Sequence, residues 1–160
     1  MLRYVSQITL NFKVVTSSVA LLHHLAPASY GVQYARAMVR VMSFSEGESL
    51  YALLVQILTL VQNRPNDFVP HARHFYLFDG EASNIQDLKI RILQAFESEY
   101  PDILKEFKTY VKSPHVDLVL QIIRGMEKMA NKKPEMAEEI LKQLCRLLRH
   151  TQGKLETIAV

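Results

Sequence analysis

At 160 residues, with 49% hydrophobic and 22% charged residues, the chain has the makings of one globular domain and is neither disordered nor fibrous. Its formal charge of +3 is too slight for a nucleic-acid arm, and a single cysteine, Cys145, excludes an internal disulfide. No apolar run reaches the roughly 18 residues that span a bilayer, and the opening MLRYVSQITLNFKVV lacks the apolar core and cleavage site of a secretory leader, so any membrane contact is expected to be peripheral.

The opening residues, Leu2 to Leu10, read as the tail of a preceding helix. Asn11 then caps a stripe of Phe12, Val15, Val19, Leu22 and Ala26, spaced by three and four and closed by Pro27. Its partner runs from about Ser29 to Phe44, with Tyr34, Ala37, Met38 and Val41 on one side and Arg36 and Arg40 on the other. A second pair starts at Gly47. Leu50, Leu53, Leu54, Ile57, Leu58 and Val61 form the strongest stripe in the chain, and Arg64-Pro65-Asn66 breaks it. Asn66 is placed to cap a short helix through His74, with Pro70 tolerated in its first turn. Residues 75–78 are a candidate edge strand before the Asp79-Gly80 turn, although nothing obvious would pair with it.

The third pair opens on Ser83-Asn84-Ile85-Gln86, a capping-box pattern, followed by Ile85, Leu88, Ile92, Leu93 and Phe96. Pro101 suits the first turn of its partner, which carries Leu104, Phe107 and Val111. Ser113-Pro114 reads as the cap and first residue of the next helix. There Val116, Val119, Leu120 and Ile123 lie apart from Leu118, Ile122 and Met129, so a helix apolar on two sides is expected. Pro134 begins the last helix, with Ile140, Leu141, Leu144, Leu147 and Leu148; Cys145 in this stretch reads as a small buried thiol, which favours the cytosol or nucleus.

First helices thus recur at intervals of about 31 to 37 residues, the period of stacked helix pairs. A lone pair cannot bury both its faces and must lean on the next. The expected fold is all-α, a right-handed solenoid of HEAT or armadillo type. It would have about four pairs and be cut at both ends, so that residues 1–160 form a single fragment of a longer helical-repeat trunk. Apolar faces left at such ends would favour self-association.

Few residues point to chemistry. His71 and His74, with Asp67 and Asp79 nearby, fall short of the three or four convergent ligands a metal requires and read as surface or capping histidines. His23 and His24 point about 100° apart on a helix and cannot chelate together. No nucleophile elbow, phosphate-binding glycine loop or paired-cysteine motif occurs, so neither catalysis nor a cofactor is expected. Basic residues recur instead. Lys105, Lys108 and Lys112 form one row, and Lys142, Arg146 and Arg149 a second on the next pair. Two readings stay open: ordinary solvated faces, since Glu106, Glu138 and Glu139 interleave, or a patch for acidic lipid or an acidic protein.

Specific strings carry more. Asp79 to Val111, with Leu88-Lys89-Ile90-Arg91-Ile92-Leu93 and Leu104-Lys105-Glu106-Phe107-Lys108-Thr109-Tyr110-Val111, resembles the trunk of beta-adaptins, the large beta subunits of vesicle adaptor complexes. Val14-Val15-Thr16-Ser17-Ser18-Val19-Ala20 and Tyr51-Ala52-Leu53-Leu54-Val55-Gln56-Ile57-Leu58 fit the same order, and Phe75-Tyr76-Leu77 is most similar to the third adaptor-complex type. Arg124 departs from the family, which usually has an apolar residue before the glycine at 125. The resemblance implies a non-catalytic scaffold in a heterotetramer with a second large, a medium and a small chain. It also implies recruitment to Golgi or endosomal membranes from the cytoplasm by an Arf-type GTPase and acidic lipids, with no nucleic acid bound. The alternatives are another helical-repeat scaffold, such as a coatomer subunit or nuclear transport receptor, and a small helical metal enzyme built on His71, His74 and Asp67.

Overall fold

The computed structural model describes Ser17, Leu21 and residues 30–146. The readings at Asn11, Phe12, His23, His24 and Arg149, and of the segments before 30 and after 146, lie outside these residues apart from the two named. The chain divides into two compact units, Met1–Ser98 and Glu99–Val160.

In the first unit, α1 (Gly31–Met42) buries Tyr34, Ala35, Met38, Val39, Val41 and Met42, a single apolar face at helical spacing. Its last carbonyls are closed by side chains: the Ser43 hydroxyl donates to the Val39 carbonyl at 3.1 Å and the Ser45 hydroxyl to that of Val41 at 2.8 Å. α2 (Gly47–Asn63) begins on Gly47 with φ +54°, a left-handed conformation that disfavours a side chain. It buries Leu53, Leu54, Ile57, Leu58, Leu60 and Val61 and ends before Pro65, which biases Arg64 away from helical geometry.

The predicted helix over 66–74 forms as two tighter 3-10 pieces, Pro65–Asp67 and Val69–Phe75. Prolines at 65 and 70 remove backbone donors, and the surviving bonds close over three residues, as from Phe68 N–H to the Pro65 carbonyl at 3.0 Å. These pieces insert Phe68 and Phe75, both fully buried, beneath the helices; the Phe68 ring lies 6.4 Å from Tyr34 and the Phe75 ring 5.9 Å from Phe96. No strand forms at 75–78. α3 (Ser83–Leu93) packs on α2 more extensively than α1 does. The Ser83 capping box does not form: the helix starts at Ser83 itself, and the Ala82 carbonyl accepts the Ile85 and Gln86 N–H groups at 2.9 and 3.1 Å.

In the second unit, α4 (Tyr100–Tyr110), with Pro101 in its first turn, packs on α5 (Val116–Lys132) and buries Tyr100, Ile103, Leu104 and Phe107. Ser113 and Pro114 precede α5 and do not cap it; the Ser113 hydroxyl oxygen instead accepts the His115 N–H at 3.2 Å. α5 buries one face, through Leu118, Ile122, Gly125, Met126 and Met129, while Val116 and Leu120 are exposed, so it is not the two-sided helix expected. A 3-10 turn at Pro134–Met136 leads to helical residues 137–146, anchored by buried Ile140. Cys145 is exposed, a correction to the buried thiol expected: Ile140 carries that helix's inward face and Cys145 lies on another.

The described residues are therefore all-helical, as expected, with helices packed on sequence neighbours. One pairing differs. α3 closes the first unit and α4 opens the second, so the two helices read as the third pair belong to different units.

Candidate functional site

One ion pair joins the two helices that carry the basic rows, and acids meet several of the rows' charges. Lys108, on α4, pairs with Glu139 of the 137–146 helix at 2.7 Å. That hydrogen bond, then one from Gln143, holds the Glu139 carboxyl below the usual glutamate range. Lys105 pairs with Asp102 at 2.7 Å and Lys142 with Glu138 at 2.7 Å, both through neighbouring turns of one helix. Lys112 and Arg146 are exposed and form no ion pair among the described residues. An alternation of acid and base is the electrostatics of a solvated face; a surface built to attract anions would leave more cations unmatched.

The histidines are not convergent. The His74 Nδ1 faces the His71 carbonyl at 3.3 Å, and the two rings meet edge to face at 5.8 Å. The Nε2 of His71 is buried without a partner; burial, followed by the nearby charges of His74 and Arg36, pushes its pKa below the ordinary 6.5. Asp67 is engaged elsewhere, its Oδ2 accepting the Tyr34 hydroxyl at 3.0 Å. Burial and then Asp67 raise the Tyr34 pKa, while Arg64 acts in the opposite direction. Among the described residues no group of three or more His, Cys, Asp or Glu side chains could hold a metal ion. None of the described helices is long and apolar enough to cross a membrane.

A second feature went unread in the sequence. Lys89, in the middle of α3, is only 3% exposed. Its ammonium pairs with Glu81, donates to the Tyr76 carbonyl at 3.3 Å and lies 4.9 Å from the centre of the Phe78 ring. The signal was present: Lys89 falls four residues after Ile85 and four before Leu93, on the apolar stripe of its own helix. Beside it opens a groove of about 470 Å³, walled by the end of α1, the start of α2, Arg73, His74 and Phe78.

No protein-family model matches the chain. Curated relatives do. The mouse AP-3 complex subunit beta-2 is 31% identical over 137 residues, covering 84% of this chain and 13% of that subunit. The AP-3 complex subunit beta of Dictyostelium discoideum is 31% identical over 140 residues, covering 86% of this chain and 12% of that subunit. The human AP-3 complex subunit beta-1 is 30% identical over 140 residues, covering 86% of this chain and 13% of its own length. The chain thus spans about an eighth of the length of the relatives it matches.

Proposed function

We propose a function from the premise that the chain belongs to the beta-adaptins, in their AP-3 form: it is a stretch of helical trunk that serves as a non-catalytic scaffold in a vesicle adaptor complex. The observation that carries this is the alignment with AP-3 beta subunits over 84–86% of the chain at about 30% identity. The physical character of the helices supports it. Their polar groups are spent on helix ends, on i,i+4 pairs and on the anchoring of connections, so few are left to converge as a reaction site requires.

In this reading the partners are the second large, medium and small chains of the complex, and the protein works in the cytoplasm, peripheral to Golgi or endosomal membranes. Recruitment falls to an Arf-type GTPase and acidic lipid. Any contribution from the basic rows comes first from Lys112 and Arg146, the exposed cations of the rows without an ion pair among the described residues.

A chimera tests the proposal. The aligned stretch of human AP-3 beta-1 is replaced by this chain, and the product is co-expressed with the other three chains of the complex. Elution of the chimera with all three as one assembly is expected. A chimera that folds but elutes apart from them would refute the scaffold reading.

A further inference from the structure

We infer that residues 76–81 form a strap, latched by the buried ammonium of Lys89, whose tip at 78–81 opens as a local unit and sets the width of the groove beside it. This inference does not depend on the adaptor reading. The strap leaves the 3-10 segment at Tyr76 in an extended conformation and turns at Gly80, where φ is +84°. None of its six residues is fully buried, and Phe78 is 64% exposed. Hydrophobic burial therefore does little to hold the tip at 78–81.

Charge holds it instead. Lys89 takes the Glu81 carboxylate as its counter-ion, the Tyr76 carbonyl as an acceptor and the Phe78 ring as a π-face. Glu81 closes the loop on itself by accepting the Phe78 N–H at 3.3 Å. One ammonium thus gathers three strap groups. Lys89 is rooted in α3, whereas its partners ride on the strap, so breaking the latch leaves the helix in place and releases the tip at 78–81. Phe78 and Glu81 line the groove along with Lys89, and Met42, Leu50 and Arg73 line it from α1, α2 and the Val69–Phe75 segment. Opening the strap widens that cavity.

Replacing Lys89 strands Glu81, whose side chain is 17% exposed, without a counter-charge, and the strap can relieve this by carrying the carboxylate to water. The test is limited chymotrypsin digestion of the 160-residue chain at low protease. The site after Phe78 reports local opening, and fragment masses separate it from cuts elsewhere. Lys89→Met is expected to speed cleavage at this site at least tenfold, and Glu81→Gln to speed it by less, both with unchanged far-UV circular dichroism. Unchanged cleavage in both variants would overturn the inference. So would cleavage within α2 and α3 rising in step with the strap, or failure of Lys89→Met to fold, since either would make Lys89 a keystone of the whole unit.

Discussion

Gly31 stands at the start of α1 with the Asp67 carboxylate against it, so closely that a Cβ at this position would overlap the carboxyl group. The anion sits where the unpaired N–H groups of the helix favour negative charge, and it also accepts the hydroxyl of Tyr34, which is 2% exposed. Gly31→Ala therefore has two opposed effects. Alanine in a helix gains roughly 0.5–1 kcal/mol over glycine by restricting the unfolded chain. The methyl group, however, drives the carboxylate away from Tyr34 and forfeits a hydrogen bond to a charged acceptor, worth roughly 1.5–3 kcal/mol. The expected net loss is about 1–2 kcal/mol, which at a typical slope moves the urea midpoint down by roughly 0.5–1 M. The deciding measurement repeats the substitution in an Asp67→Ala background. With no carboxylate to displace, Gly31→Ala should cease to destabilise and show the propensity gain alone. An equal penalty in both backgrounds, or none in the native one, would refute the account.

Other expectations follow from the same contacts. Ile57→Ala empties a fully buried position in α2 and should cost about 2–5 kcal/mol by chemical denaturation. Burial disfavours the protonated form of His71 in the folded state, while the unfolded imidazole protonates near 6.5; stability should be full above about pH 6.5 and fall as pH drops from there through the lowered native value, and His71→Leu should flatten that slope. Lys108→Ala removes the main cause of the low Glu139 pKa, so the Glu139 carboxyl should titrate higher by NMR while the urea midpoint stays put, since Glu139 is exposed to solvent.

Helix identity was legible because burial follows period. The stripe from Leu53 to Val61 and the one from Ile85 to Leu93 lie on the buried faces their spacing requires. Helix starts were less legible, because a cap depends on where the backbone enters the helix, and shifts of one or two residues disqualified both Ser83 and Ser113. The 3-10 geometry of 65–75 had a cause in plain view, two prolines five residues apart, yet a proline in the first turn also suits an α-helix, so the pattern did not separate wide turns from tight ones. The grouping of helices was the weakest inference. A 31-to-37-residue period says that helices pair but leaves the phase open, and α3 belongs with α2 where the sequence read it with α4.

The site contrasts two uses of lysine that look alike in sequence. Lys105, Lys108 and Lys142 announce themselves by regular spacing, and each has an acid within reach, so their charge is largely spent locally. Lys89 follows no basic pattern, and it is the cation that organises structure. It occupies a position where the stripe calls for an apolar side chain, and burial at 3% exposure is tolerable only because Glu81, the Tyr76 carbonyl and the Phe78 ring surround the charge. All three partners come from a connection whose conformation the sequence did not disclose. The informative signal was the conflict at one position between the periodicity of a helix and the polarity of a residue, and such a conflict can be resolved only by a partner from elsewhere in the fold. A helical surface whose charges are paired locally has few strong features to offer partners. The anchored connections between its helices, where side chains such as Phe78 are held in place while exposed, are therefore the better places to look for recognition.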